Sequence, residues 1–225
     1  MDISYKSFPV KRVNLFCGHY GSGKTNIAVN YAMALKNAGL SVAIADMDVV
    51  NPYFRTKDSE KELLAAGVDV ISLPFANTSV DLPALPGELY GLVQQRGRHA
   101  VLDVGGDDRG AYALGRYAPY ILEENDYAMF FVANFYRPLT RNAQEAYAIM
   151  KEIEAACKIP FTAIINNSNL GEETTAEAIE KTQKEAEALS KISALPIAYV
   201  SCREDLAEKI NAERVFPLKL QEKIF

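Results

Sequence analysis

Residues 18 to 25 read Gly-His-Tyr-Gly-Ser-Gly-Lys-Thr, and the apolar run Val13–Cys17 stands directly before them. The eight residues fit the pattern G-x-x-x-x-G-K-[ST], in which glycines let successive backbone N–H groups turn inward around a phosphate chain. A helical pattern over Asn26–Ala38 follows and stops at Gly39, a glycine typical of a helix end. The loop is therefore predicted to lie between a strand and a helix N-terminus, whose dipole favours an anion.

This loop provides most of the predicted nucleotide site. Lys24 is expected to reach the β- and γ-phosphates, and Thr25 is expected to give a hydroxyl to Mg²⁺. His19 is interpreted as a spacer rather than a base, and the alternative for the whole loop is a glycine-rich turn with a solvated lysine. The predicted nucleotide-binding residues of the loop are Gly18, His19, Tyr20, Gly21, Ser22, Gly23, Lys24, Thr25 and Asn26.

Carboxylates follow two further predicted strands. Asp46 and Asp48 come at the end of the second strand, and Asp103 lies in the fourth, shortly before Gly106. Such strand ends face the phosphate loop, where Asp103 could hold a magnesium-bound water and the Gly106 amide could meet a γ-phosphate. Loss of that phosphate would release the segment. A helix N-cap is the alternative role for these aspartates.

Short β-branched apolar runs alternate with helical patterns along the whole chain, which is typical of βαβ units and a parallel sheet. We predict a single doubly wound α/β domain over residues 1–225, with a mainly parallel sheet flanked by helices. Thr174 and Glu177 are predicted to form the capping box of an acidic helix. The predicted strands are Val13–Cys17, Val42–Ala45, Val68–Ser72, Ala100–Val104, Ala128–Ala133, Phe161–Ile165 and Ile197–Val200.

The composition excludes several classes of protein. With 225 residues, of which 49% are hydrophobic and 24% charged, the chain can bury a core without disulfides or metal. Its net charge of −5 argues against a protein that coats nucleic acid. No membrane span or signal peptide is recognised, so a cytoplasmic location is predicted. The three cysteines have no C-x-x-C spacing, so neither a zinc ribbon nor an iron–sulfur site is predicted, and reduced thiols in a cytoplasmic protein fit best: Cys17, Cys157 and Cys202.

Taken together, the loop, the Asp46-Met47-Asp48 sequence and the Asp103-x-x-Gly106 turn resemble the MinD/ParA/CobQ-type nucleotide-binding proteins, the SIMIBI branch of the P-loop NTPases. The resemblance covers roughly residues 10 to 202, and some segments look like a small bacterial subgroup of ATP-binding proteins. It implies that Asp48 orients the hydrolytic water. It also implies a metal site with Thr25, in which Asp103 is the second-switch residue and Asp46 a less direct support.

The resemblance further implies that Asn166 reads the edge of adenine. Asn167 and Asn169 compete for that role, and a turn-forming function is the alternative for all three. No Asn-Lys-x-Asp guanine-binding sequence follows the sixth predicted strand. ATP and Mg²⁺ are therefore the predicted cofactors.

The sequence also departs from the family. Members that form ATP-sandwich dimers carry a lysine after the first loop glycine, where this chain has His19. Arg55 or Arg109 could replace that cation, although a surface ion pair is the alternative for each, and slow turnover is expected. The basic amphipathic tail of membrane-cycling members is missing, and Val215–Phe225 is predicted to be a short docked helix instead.

Three functions fit these observations. The first is a slow nucleotide-switch ATPase of the MinD/ParA type, able to form a homodimer. The second is an ATP-dependent small-molecule kinase or ligase, whose anionic substrate would meet Arg109, Arg116, Arg137 and Arg141. The third is a non-catalytic ATP-binding regulator. The sequence identifies the nucleotide as ligand but names no protein or small-molecule partner.

Overall fold

The computed structural model describes residues 8–47, 59–72, 87–94, 96–105 and 108–220. Strands and helices alternate through these ranges, with short 3-10 helices at Gly171–Glu173 and Glu204–Lys209. The strands are β1 (Val13–Cys17), β2 (Val42–Met47), β3 (Asp69–Ser72), β4 (His99–Val104), β5 (Tyr127–Ala133), β6 (Ala163–Asn166), β7 (Ile197–Arg203) and β8 (Val215–Leu218). The helices are α1 (Lys24–Asn37), α2 (Glu60–Ala65), α3 (Gly87–Gln94), α4 (Asp108–Gly115), α5 (Ala118–Glu124), α6 (Ala143–Cys157), α7 (Ala176–Lys181) and α8 (Gln183–Ser193).

These eight strands form one sheet in the order β3-β2-β4-β1-β5-β6-β7-β8. Each neighbouring pair is parallel, so the predicted, mainly parallel sheet is confirmed and every described strand pair obeys it. All carboxyl ends therefore meet at one edge, where β1 lies between β4 and β5. The assignment of residues 1–225 to a single domain stays a prediction.

Two apolar clusters cover the two faces of the sheet and confirm the doubly wound arrangement. Successive strand side chains point to opposite faces, so Leu15 joins one cluster while Phe16 joins the other. Helix α1 packs on the Phe16 face, and α4, α5, α6 and α8 pack on the Leu15 face. In the described part of the chain, no helix combines the length and apolarity that crossing a membrane requires.

The C-terminal segment differs from its prediction. Val215–Leu218 forms β8, parallel to β7, where a docked helix was expected. Pro217 is compatible with this position because β8 is an edge strand, and a residue whose backbone nitrogen faces solvent there needs no N–H for pairing with β7. Residues 221–225 lie outside the described ranges.

The predicted capping box is displaced by one residue. Thr175 caps α7, since its side chain accepts a hydrogen bond from the Ala178 N–H. Thr174 instead donates its hydroxyl to the Gly171 carbonyl and accepts from the Leu170 N–H. The acidic helix is also divided into α7 and α8.

Candidate functional site

The segment between β1 and α1 leaves backbone amides available for an anion. Gly23 precedes α1 in the left-handed conformation with a φ of 86°, and no described side chain caps the helix. No acidic residue lies in the first turn. The first N–H groups of a helix have no internal partner and carry positive potential. This helix end therefore fits a phosphate group.

Two loop glycines are required because the loop packs tightly against neighbouring segments. A Cβ on Gly18 would lie 2.4 Å from the Val132 carbonyl oxygen of β5. A Cβ on Gly23 would lie 2.3 Å from Nδ2 of Asn167, which follows β6. The loop thus rests directly on β5 and on the segment that follows β6.

The loop carbonyls are held by hydrogen bonds from outside and within the loop. Arg137 Nε donates to the Gly21 carbonyl at 3.1 Å, and Asn167 Nδ2 donates to the Ser22 carbonyl at 2.6 Å. The His19 carbonyl accepts from the Ser22 N–H at 3.0 Å. Fixing carbonyls in this way favours the opposite orientation for amides, which is the geometry of an anion-binding concavity.

The side chains of the loop divide into buried and accessible groups. Lys24 and Thr25 are 3% and 4% exposed, whereas Tyr20 is 55% exposed. The Ser22 hydroxyl is buried and has no hydrogen-bond partner in the described structure. His19 and Asn26 are half-buried. A buried hydroxyl without a partner, beside uncapped amides, fits a ligand rich in acceptor oxygens.

Asp46 and Asp103 lie side by side at the same edge of the sheet. They are direct register partners on β2 and β4, and Phe16 is the next partner of Asp103 on β1. Register partners point to the same face, so both carboxylates lie on the face covered by α1. Because both residues lie within strands, neither caps a described helix.

The Cys17 thiol, at the end of β1, is affected both by Lys24 of the loop and by the Asp103 carboxylate. Burial raises the pKa of Cys17, Lys24 lowers it, and Asp103 raises it again. Lys24 and Asp103 thus both lie close enough to Cys17, at the end of β1, to act on its thiol. Asp48, Gly106 and Arg55 lie outside the described residues, as does the side chain of Arg109.

Asn166 is buried in a hydrogen-bond network. Its Nδ2 donates to Thr182 Oγ1 at 3.0 Å, and its Oδ1 accepts from the N–H and hydroxyl of Ser168. Both amide atoms of Asn166 are therefore engaged within the protein, and the side chain is fully buried. Its role as the adenine-reading residue stays a prediction, and it would require this network to rearrange.

Asn167 contacts the phosphate-binding loop, whereas the sequence predicted either a base-reading or a turn-forming role for it. Because strand side chains alternate, Asn167 points to the face opposite Asn166 and reaches the Ser22 carbonyl. Its Oδ1 accepts from the Ser201 hydroxyl of β7 at 2.8 Å. Asn169 instead donates to the Asn167 carbonyl. The sequence signal for this contact is the pair of adjacent asparagines, Asn166 and Asn167, at a strand end. The pair alone does not indicate which of the two reaches the loop.

The predicted group of four arginines is not one cluster. Arg137 contacts the loop, and Arg141 stands just before α6 on the same segment. Arg116 follows Gly115, where a Cβ would lie 3.3 Å from the Ala156 carbonyl near the other end of α6. A helix of 15 residues is about 22 Å long. Arg116 is therefore placed at the opposite edge of the sheet from Arg137 and Arg141.

Comparison with known families identifies this arrangement. Residues 18–214 match the family described as the CobQ/CobB/MinD/ParA nucleotide binding domain. The chain belongs to this family. The match begins at the first loop glycine and extends into the segment before β8, and it confirms the resemblance seen in the sequence.

Solved structures agree with the family on the fold. The cell division protein FtsY from Thermotoga maritima is similar with a TM-score of 0.58 and 18% identity, covering 88% of this chain and 64% of FtsY. The signal recognition particle 54 kDa protein from Aeropyrum pernix K1, solved with GDP, has a TM-score of 0.53 and 15% identity, covering 87% of this chain and 42% of the other.

The FtsY from Mycoplasma mycoides has a TM-score of 0.52 and 16% identity, covering 87% of this chain and 60% of the other. The chain thus spans less than two thirds of the length of these relatives. At such identities the likeness concerns the fold alone. A search of curated protein sequences finds no match.

Proposed function

We propose that this protein binds Mg·ATP and hydrolyses it slowly, as a nucleotide-dependent switch of the MinD/ParA type. One observation carries the proposal. An uncapped helix start with buried Lys24 and Thr25 adjoins the paired carboxylates Asp46 and Asp103. That arrangement offers amides and a cation to phosphates, and oxygen ligands to a divalent metal.

Each side chain has a proposed role. Lys24 binds the β- and γ-phosphates, and the Thr25 hydroxyl, Asp46 and Asp103 hold Mg²⁺ directly or through water. When bound, Mg²⁺ would neutralise charge on the phosphate oxygens. Asp48 orients the attacking water. Hydrolysis joins the water oxygen to the γ-phosphorus, breaks its bond to the β,γ-bridging oxygen, and releases ADP, inorganic phosphate and a proton.

The proposed switch uses the segments that follow β2 and β4. Asp103 is the penultimate residue of β4, and Gly106 comes three residues later. A γ-phosphate contact at Gly106 would bias the position of this segment, and loss of the phosphate would remove that bias. Slow turnover is expected because His19, and not lysine, follows the first loop glycine.

ATP is the proposed nucleotide, and GTP is the second candidate. Asn166 supports ATP through the family resemblance, whereas the solved complex of the signal recognition particle 54 kDa protein contains GDP. Calorimetric titration with ATP, GTP and ADP in magnesium buffer separates the two. Tighter binding of GTP would overturn the choice of base and leave the phosphate site intact.

The phosphate site is tested by Lys24→Ala against Lys36→Ala. Both lysines lie in α1, but Lys36 is in its last turn. Loss of a charge-assisted contact is expected to weaken ATP binding by about 10- to 100-fold for Lys24→Ala. The Lys36→Ala variant should bind as the unchanged protein does. Equal affinity of both variants would refute the proposal.

Hydrolysis is tested by phosphate release. Asp48→Ala should abolish release while ATP still binds, because its proposed role concerns water and not the nucleotide. Release that depends on an added metabolite would support the kinase or ligase alternative. Binding without release under any condition would support the regulator.

The partners and compartment belong to the same proposal. A homodimer that forms with ATP is expected to double the mass measured by light scattering, and an unchanged mass would exclude it under those conditions. A further protein or small-molecule partner is proposed without an identity. The cytoplasm is the proposed location, supported by three free, buried cysteines.

A further inference from the structure

The segment after β5 is held in a fixed conformation beside the phosphate-binding loop. The Asn134 carbonyl accepts from the Arg137 N–H at 3.1 Å and from the Thr140 hydroxyl at 2.8 Å. The Phe135 N–H donates to Ser168 Oγ at 3.0 Å. Leu139 has a φ of 66°, a left-handed conformation that is energetically unfavourable for a residue that carries a Cβ. These contacts place Arg137 on an ordered support.

The Arg137 guanidinium lies against the middle of the loop. Its Nε donates to the Gly21 carbonyl, and a Cβ on Gly21 would lie 3.5 Å from Nε and 3.9 Å from Cζ. In the described part of the chain, Arg137 makes no ion pair and no other side-chain hydrogen bond. One edge of the guanidinium is thus anchored, while its two terminal nitrogens keep their N–H groups.

An arginine anchored in this way is suited to an anion. The guanidinium is always charged and presents its donors in a planar fork that matches phosphate oxygens. The adjacent loop is the proposed phosphate site, and the chain lacks a lysine after the first loop glycine. We propose that Arg137 supplies, from within the same chain, the cation that stabilises the negative charge developing on the phosphates during hydrolysis.

This inference rests on the proposed function and adds a residue to it. When the bond between the γ-phosphorus and the bridging oxygen breaks, negative charge develops on the leaving diphosphate. A cation fixed beside this diphosphate stabilises the transition state more than it stabilises bound ATP or ADP. The chain would then need no second copy to complete the charge at the site.

The test uses two substitutions that separate charge from anchoring. Arg137→Gln keeps an N–H donor for the Gly21 carbonyl but removes the charge, and Arg137→Lys keeps the charge. Arg96→Gln is the matched control, because Arg96 is an exposed arginine just before β4, at the opposite edge of the sheet. Binding of ADP alone is compared with binding of ADP plus magnesium and aluminium fluoride, which mimic the transition state.

Arg137→Gln should weaken binding of the aluminium fluoride complex by about 10²-fold, as for loss of one transition-state donor. Its affinity for ADP should change by less than about threefold, and kcat should fall with the analogue affinity. Arg137→Lys should recover part of the loss, and Arg96→Gln should show none.

Equal weakening of both complexes by Arg137→Gln would overturn the inference, because an anchor alone has that effect. So would an unchanged affinity for the aluminium fluoride complex. If the unchanged protein binds no nucleotide, or binds it as tightly as Lys24→Ala does, the proposed function itself fails, and the inference fails with it.

Discussion

Replacing Asn167 by alanine tests how the phosphate-binding loop is held. The Asn167 side chain is 4% exposed, donates to the Ser22 carbonyl at 2.6 Å and accepts from the Ser201 hydroxyl at 2.8 Å. Each buried hydrogen bond contributes about 1 kcal/mol net, and a buried polar group left without a partner costs about 1 to 3 kcal/mol. We therefore expect Asn167→Ala to lower the free energy of unfolding by about 2 to 4 kcal/mol.

Urea unfolding measures this loss, and two variants control it. Ser201→Ala removes only the contact to Asn167 Oδ1 and a longer bond to the Asn166 carbonyl, and should cost less than Asn167→Ala. Asn211→Ala changes an exposed asparagine and should stay within about 0.5 kcal/mol of the unchanged protein. ADP affinity should also fall by about fivefold for Asn167→Ala, because a loosened loop loses about 1 kcal/mol on becoming ordered.

A loss no larger for Asn167→Ala than for Asn211→Ala would refute this reasoning. It would mean that the Ser22 and Ser201 groups find water as readily as they find Asn167. A loss of stability with unchanged ADP affinity would refute the second half alone, since the loop would then be ordered without this contact.

Three other changes follow from the same structure. Gly23→Ala should abolish most ADP binding by calorimetry, because the residue has a φ of 86° and its Cβ would lie 2.3 Å from Nδ2 of Asn167; retained affinity would contradict that clash. Thr175→Ala should lower the unfolding free energy by about 1 kcal/mol in urea through loss of the α7 cap, and no change would show that the cap is dispensable. Burial raises the pKa of Cys17 and raises that of Cys202 to about 11, so both thiolates are scarce at pH 8. The reaction of these two thiols with a maleimide should therefore be much slower in the folded protein than in urea. Equal rates in the two conditions would contradict this.

Local sequence patterns were sufficient for the loop and most strands. The pattern Gly-Ser-Gly-Lys-Thr requires left-handed glycines, and Gly21 and Gly23 both have positive φ. Continuous apolar runs predicted the strands because both faces of the sheet are buried. Their ends shifted by a few residues, as for the sixth strand, observed at Ala163–Asn166.

Tertiary contacts explain the errors. Val215–Leu218 is a strand because β7 is beside it, and nothing in Val-Phe-Pro-Leu alone favours an edge strand over a docked helix. Thr174 and Thr175 can both cap a helix, and the choice depends on the turn that binds Thr174 to Gly171. Terminal residues of helices are the least certain part of any sequence-based boundary.

The site shows the same division between local and distant information. Asp46 and Asp103 were expected at one edge, because parallel strands end together, and their register confirms that they are neighbours. Arg116 and Arg141 are close in sequence number, but α6 separates them in space. Arg137 was named only as one arginine of four, because its contact with Gly21 crosses 116 residues of chain.

The loop therefore depends on residues that are remote in sequence. Its Ser22 and Gly21 carbonyls are bound by Asn167 and Arg137, which lie 145 and 116 residues away from these partners. Any ligand that favours the ordered loop must also favour the packing of β5 and β6 that positions these two side chains, since binding to the native state alone stabilises it. Nucleotide should thus protect the amides of β5 and β6 from hydrogen exchange, although the motif that binds it lies near the N-terminus.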